Sequence, residues 1–292
     1  MSYAIGVDIG GTYIKAGIVD KKGKIIEPIK IPITSKKDAE YVIGDVMTAV
    51  EKVIKAASPR KISGIGIGVP GRIDKKNGTI IDTPNLPLHG IPIKEILQRK
   101  FKKKVVIEND ANCFGIAEAK LGFGRKNDYV LCITLGTGIG SAFIIKGKLY
   151  KGKGDAPELG HTTINFKGHE CHCGNYGCVE EYISSRGLVK IARDYGFKLS
   201  DTLDLFIEAE RGNLRAIKAF EEYGTMLGMA LSNFVNTFDP EMIVLGGQIS
   251  GAWRFFNKTM VRELNKKSFV PACKVAKTEL KDAGVIGAGL GV

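Results

Sequence analysis

One pattern occurs twice in this chain, and it constrains the fold more than any other feature. Residues 3–20 read YAIGVDIGGTYIKAGIVD, and residues 129–146 read YVLCITLGTGIGSAFIIK. Each is an apolar run, a turn of glycine and threonine, and a second apolar run, the pattern of a β-hairpin. Laid over one another, Ile9-Gly10-Gly11-Thr12 falls on Leu135-Gly136-Thr137-Gly138. An internal repeat of one supersecondary unit argues for two related α/β halves that face each other.

The segments between the hairpins suit that reading. KKGKII after the first hairpin predicts another turn and a third strand. Ala39 to Ala57 has helical periodicity, with Val42, Val46, Val50, Val53 and Ile54 on one side. SGIGIGVP reads as a buried strand that ends in a Val69-Pro70-Gly71 turn. Ile93–Phe101 and Ala111–Leu121 are expected helices around the strand VVIEND. Leu203–Ala209, Asn213–Val235 and Ala252–Lys266 are further expected helices, with a stop at Asp239-Pro240. MIVLGGQIS is a buried strand with a glycine pair, and the chain closes on GVIGAGLGV. The expected division is a small domain over 1–110 and a larger one over 111–279, with about 280–292 packing back on the first. No Pro/Ser-rich linker separates them.

A chain of 292 residues with 44% hydrophobic and 25% charged residues has the composition of a globular protein with a full core. Of its six cysteines, Cys113, Cys132 and Cys273 sit singly in apolar surroundings, as buried free thiols do. That pattern favours a reducing compartment, and the expected location is the cytoplasm. No apolar run approaches the roughly 20 residues a bilayer requires, so no membrane partner is expected. The formal charge of +12 suits nucleic acid, membranes or small anions. The dense run RKFKKK at 99–104 lacks interleaved aromatics, so a solvated surface is expected rather than specific nucleic-acid binding.

The two glycine–threonine turns carry chemistry. Small residues between strands expose backbone N–H groups and a short hydroxyl, which suits phosphate. The candidate phosphate residues are Gly10, Gly11 and Thr12, and Gly136, Thr137 and Gly138. Asp8 stands two residues before the first turn, placed to hold Mg²⁺, and Lys15 could meet a phosphate oxygen. Gly246-Gly247 ends a strand, where nucleotide rings and sugars lie in α/β folds. There is no GxxxxGK[ST], which excludes a P-loop enzyme.

VVIEND ends in Glu108-Asn109-Asp110. Phosphoryl transfer to an alcohol requires a base for the hydroxyl proton, and an aspartate at a strand end serves. Asp110 also precedes a helix, so capping is the competing role. A third stretch, ELGHTTINFKGHECHCGNYGCVE from Glu158 to Glu180, holds three of the six cysteines and three of the four histidines. His161, Cys171, Cys173 and Cys178 suffice for a closed four-coordinate site of the structural zinc type. His169 and His172 are read as solvated loop residues.

VDIGGTYIKAGIVD, LGTGIGSAFI and VLGGQI together resemble the phosphate and adenosine segments of the actin, sugar-kinase and chaperone ATPase superfamily. ENDAN at Glu108–Asn112, ELGH at Glu158–His161 and CHCGNYGCVE at Cys171–Glu180 resemble the ROK family of sugar kinases and repressors. The resemblance implies an α/β fold of two duplicated ribonuclease-H-like domains, with an interdomain cleft and a structural zinc loop at 161–178. It implies Asp110 as general base, and Asn109, Asp110, Glu158, His161 and Glu180 as sugar-hydroxyl ligands. It also implies the zinc ligands His161, Cys171, Cys173 and Cys178, the cofactors ATP, Mg²⁺ and Zn²⁺, and a homo-oligomer, dimer or tetramer.

The expected reaction is phosphorylation of a hexose at its 6-hydroxyl, glucose first. Cys113-Phe114 and Ser185-Arg186-Gly187 look more like N-acetylhexosamine kinases, and Asn85-Leu86-Pro87 more like glucokinases. N-acetylglucosamine, N-acetylmannosamine and fructose remain alternative substrates. A sugar-sensing repressor is disfavoured, because the first hairpin begins at residue 3 with no helix-turn-helix before it. Metal removal is expected to weaken sugar binding and spare ATP.

Overall fold

The computed structural model describes residues 3–58 and 60–292, so Met1 and Ser2 of the expected first domain lie outside it. The chain forms two compact units. One comprises Met1–Arg125, Gly147–Ala156 and Glu279–Val292, the other Lys126–Lys146 and Pro157–Thr278.

In the first unit, β1 (Tyr3–Ile9) and β2 (Tyr13–Asp20) form an antiparallel hairpin, and β3 (Ile25–Pro32) pairs with β2. After α1 (Ala39–Ala57), β4 (Ile62–Val69) pairs parallel with β1. β5 (Arg72–Asp74) and β6 (Thr79–Asp82) make a small separate ribbon. After α2 (Ile93–Phe101), β7 (Lys104–Asn109) pairs parallel with β4 and completes the sheet order β3-β2-β1-β4-β7. α3 (Asp110–Leu121) follows, and β10 (Lys148–Tyr150) lies against it.

The pleat explains the layering. Successive side chains alternate faces. Ile5, Val7 and Ile9 of β1 and Ile65, Ile67 and Val69 of β4 enter one core with Val42, Val46 and Val50 of α1. The alternate positions are Gly6 and Asp8 on β1, and Gly64, Gly66 and Gly68 on β4. This glycine face receives α9 (Ala283–Leu290) at backbone distance: a Cβ on Gly66 would stand 1.9 Å from the carbonyl oxygen of Ala288. A helix of eight residues, three of them glycines, is marginal on its own, so contact with the sheet and α3 sustains it. α3 packs on α9, and the first unit therefore runs past residue 110 to Arg125.

In the second unit, β8 (Tyr129–Leu135) and β9 (Ile139–Ile145) are the second hairpin, and β11 (Met242–Gly246) and β12 (Lys274–Lys277) add in parallel. The strand order within this unit is β9-β8-β11-β12. α4 (Glu180–Ile183), α5 (Ser185–Asp194), α6 (Thr202–Glu210), α7 (Leu214–Phe238) and α8 (Trp253–Lys267) supply the helices. α7 starts where the Asn213 side chain accepts from Arg215 N–H, and ends at Asp239, whose φ of 43° leaves the helical region just before Pro240. Its buried stripe, including Ala219, Phe220, Tyr223, Leu227 and Leu231, forms the centre of the core. The Tyr223 hydroxyl, wholly buried, donates to the Ile183 carbonyl at 2.8 Å, which removes the cost of burying it.

Candidate active site

The first unit places two carboxylates on its glycine face. Asp8 shares the pleat with Gly6, and the start of α9 presses on it: a Cβ at Gly284 would lie 2.7 Å from Asp8 Cγ. Burial, reinforced by the charge of Asp110, raises the Asp8 carboxyl from its ordinary 3.8 to about 7; Lys15 opposes the shift and Asp282 adds to it. Burial also raises Asp110, against the hydrogen bond that its Oδ1 accepts from Ala111 N–H at 2.9 Å. Lys15 is not an isolated cation, since its Nζ pairs with Asp282 at 2.7 Å.

The cap of α3 is Asn109 rather than Asp110. Asn109 Oδ1 accepts from Asn112 N–H at 3.1 Å, and its Nδ2 donates to the Gly71 carbonyl at 3.4 Å. The helix begins one residue earlier than its periodicity predicts, so Asp110 occupies the first helical position and its carboxylate is released from capping. Glu108 braces this corner. Its Oε1 accepts from Asn109 N–H at 3.0 Å and Asn112 Nδ2 at 2.9 Å, and its Oε2 from Lys151 Nζ at 2.5 Å. Lys75 Nζ lies 3.3 Å from Oε1. Burial alone would raise the Glu108 carboxyl; Lys151 and Asn112 outweigh it, and the net shift is downward.

Gly10, Gly11 and Thr12 form the first turn, closed by Gly10 N–H donating to the Tyr13 carbonyl at 3.0 Å. In the second unit, Gly136 N–H donates to the Gly138 carbonyl at 3.1 Å across the second turn. Gly247 adjoins it: with φ of 83°, a Cβ there would stand 2.3 Å from the Leu135 carbonyl oxygen. Glu180 also meets this turn. Its Oε2 accepts from Ile139 N–H at 2.7 Å, and its Oε1 lies 3.2 Å from Arg186 Nη2 and 3.3 Å from His172 Nδ1. Glu158 is exposed at the start of a short 3₁₀ turn, Leu159–His161, and its carbonyl accepts from His161 N–H.

His161, Cys171, Cys173 and Cys178 converge, with all four donor atoms within 4.8 Å of one another. Cys173 Sγ and Cys178 Sγ are 3.7 Å apart, and Cys171 Sγ is 3.8 Å from His161 Nδ1. A tetrahedron with bonds of about 2.3 Å has edges of about 3.8 Å, so the donor set fits one zinc-sized ion. Burial pushes the Cys178 thiol up to about 12, aided by its two neighbouring thiols, so binding such an ion would displace protons. His172 is not a purely solvated residue, because it stands against Glu180.

Sequence reasoning missed Glu108, Asn112, Lys151, Ser185 and Arg186. Asn112 had a signal, three residues after Asn109 on one helix face. Ser185 and Arg186 stood in the Ser185-Arg186-Gly187 motif without a role assigned, and Lys151 had no signal, since lysines are spread throughout.

Comparison with known proteins places this geometry in context. The sequence matches the ROK family over residues 4–290. It is 32% identical over 305 residues to a glucokinase of Thermotoga maritima, covering 97% of this chain and 95% of that protein. It is 33% identical over 301 residues to a xylose repressor of Caldicellulosiruptor bescii, covering 97% of this chain and 75% of the repressor. A ROK family glucokinase from Streptomyces griseus, solved with glucose and AMPPNP, superposes with a TM-score of 0.87 at 31% identity over 98% of each chain. The chain therefore belongs to the ROK family.

Proposed function

We propose that this protein transfers the γ-phosphoryl group of ATP to the 6-hydroxyl of a hexose, with glucose as first candidate. The observation that carries this reading is Asp110, a carboxylate with a raised pKa at the head of α3 whose capping duty Asn109 has taken over. A base works best when its pKa is brought up towards the operating pH. Asp110 takes the proton of the attacking hydroxyl. Asn109, Glu158 and His161 hold other sugar hydroxyls, as does Glu180 through the lone pairs its partners leave.

Gly10, Gly11 and Thr12, with Gly136, Thr137 and Gly138, receive the phosphates, and Gly246 and Gly247 adjoin the nucleoside. Asp8 would hold the Mg²⁺ that accompanies ATP, an ion that would supply charge neutralisation to the transferring group, and Lys15 stands beside Asp8. His161, Cys171, Cys173 and Cys178 would hold a Zn²⁺ ion that fixes the loop and leaves no coordination position open for substrate. The two units are read as duplicated ribonuclease-H-like domains, and the protein as a cytoplasmic homo-oligomer. No helix among the described residues is long and apolar enough to cross a membrane.

A coupled kinase assay over glucose, mannose, fructose, N-acetylglucosamine and N-acetylmannosamine identifies the substrate. In Asp110→Asn, kcat should fall by about 10²–10⁴ with sugar affinity nearly intact. Turnover near wild type in that variant would refute the mechanism. The repressor relative favours a second reading, sugar-dependent DNA binding. A gel shift that survives added salt would support it, since purely electrostatic binding fades.

A further inference from the structure

We propose that Glu180 is a positioning residue for the second glycine–threonine turn, holding it in the form that receives nucleotide phosphate. This rests on the reading that ATP is the donor. Both ends of the turn are tied to the α4–α5 segment. Ile139 N–H donates to Glu180 Oε2 at 2.7 Å, and the Gly136 carbonyl accepts from Ser185 N–H at 2.8 Å and Ser185 Oγ at 3.0 Å. With those groups engaged, the N–H groups of Thr137 and Gly138 have no partner among the described residues. Adjacent unpaired N–H groups in a rigid turn suit an anion.

Gly138 belongs to the same device. A Cβ there would stand 2.6 Å from Glu180 Oε2, so only glycine admits the carboxylate. A carboxylate beside a phosphate turn would repel the ligand unless neutralised. Arg186 supplies that charge, with Nη2 3.2 Å from Glu180 Oε1 and 3.0 Å from Glu181 Oε1, and Lys190 covers the other oxygen of Glu181 at 3.0 Å. Glu180 is only 5% exposed, so its bond to Ile139 is little screened.

The experiment separates this role from sugar binding. In Glu180→Gln, an amide oxygen facing Ile139 N–H turns its NH₂ on Arg186, so one of the two contacts is lost. Calorimetry with a non-hydrolysable ATP analogue and, separately, with glucose should show nucleotide affinity reduced on the order of 10- to 100-fold. Ser185→Ala removes only the hydroxyl bond to Gly136, and should weaken the analogue a few-fold and leave glucose affinity unchanged. Circular dichroism checks that both variants fold. Nucleotide affinity within twofold of wild type in Glu180→Gln, whatever happens to glucose, overturns the proposal. A wild-type protein that binds glucose but no ATP analogue refutes the donor reading instead, and this role with it.

Discussion

Replacing Asp8 with asparagine should stabilise the protein at neutral pH while removing its proposed Mg²⁺ ligand. The native carboxyl holds its proton up to about 7, whereas its ordinary value is 3.8. Below 3.8 both folded and unfolded chains are protonated, and the contribution to stability is fully present. Between 3.8 and about 7 the unfolded chain has lost the proton that the native one keeps. Stability then falls as pH rises, by about 1.4 kcal/mol per pH unit, and the loss is complete above the native value. Three units give an upper bound of about 4 kcal/mol. Asp8 is partly accessible, which lowers the figure to roughly 2–4 kcal/mol. Asparagine has the same shape and does not ionise. Urea unfolding of both proteins from pH 4 to 8, without nucleotide or metal, should give curves that nearly coincide at the acid end. The variant should be ahead by at least 1 kcal/mol at pH 8. A difference that is flat within about 0.5 kcal/mol over the whole range would refute the argument that burial and Asp110 strain this carboxylate.

Two further outcomes follow from the same structure. Glu108→Gln should cost about 1–3 kcal/mol at pH 7, measured by urea unfolding, because it removes the charge that Lys75 and Lys151 face. The native carboxyl is lowered below its ordinary 4.5, so the penalty should be present above that value and vanish as pH falls through the native one. A chelator applied to the zinc-loaded protein should make 161–178 sensitive to protease. It should also weaken glucose and ATP-analogue binding together in calorimetry, because Cys178 lies two residues from Glu180, whose carboxylate accepts from Ile139 N–H beside the second turn. Loss of sugar affinity alone would restore the expectation that the loop serves only the sugar.

Local pattern made some of this fold readable, and packing over distance hid the rest. The repeat of glycine–threonine turns predicts both hairpins, and they occur as β1–β2 and β8–β9. The apolar stripes predict α1 and α7 within a few residues. GVIGAGLGV gave no such signal. It is apolar on all sides and rich in glycine, so its helix exists only because β1 and β4 present glycines to it. The cluster of His161, Cys171, Cys173 and Cys178 was legible because all four fall within one short stretch. The contact of Glu180 with Ile139 was not, since 41 residues separate them, and Glu108 meets Lys151 across 43.

At Asp110 a one-residue shift of the helix boundary decides which side chain caps α3. The pattern of VVIEND followed by a helix leaves capping and catalysis competing for the same carboxylate. In the structure Asn109 carries the cap. The same local geometry accounts for the charge state of the site. Alternation along β1 puts Asp8 on the face with Gly6, and the glycines of β4 let α9 and α3 close over that face. Close approach excludes water, and exclusion of water raises both carboxyls. The glycines that admit α9 therefore also set the proton affinities of Asp8 and Asp110. A side chain added at Gly66 would have to push α9 away, which would rehydrate Asp8 and lower its pKa towards 3.8.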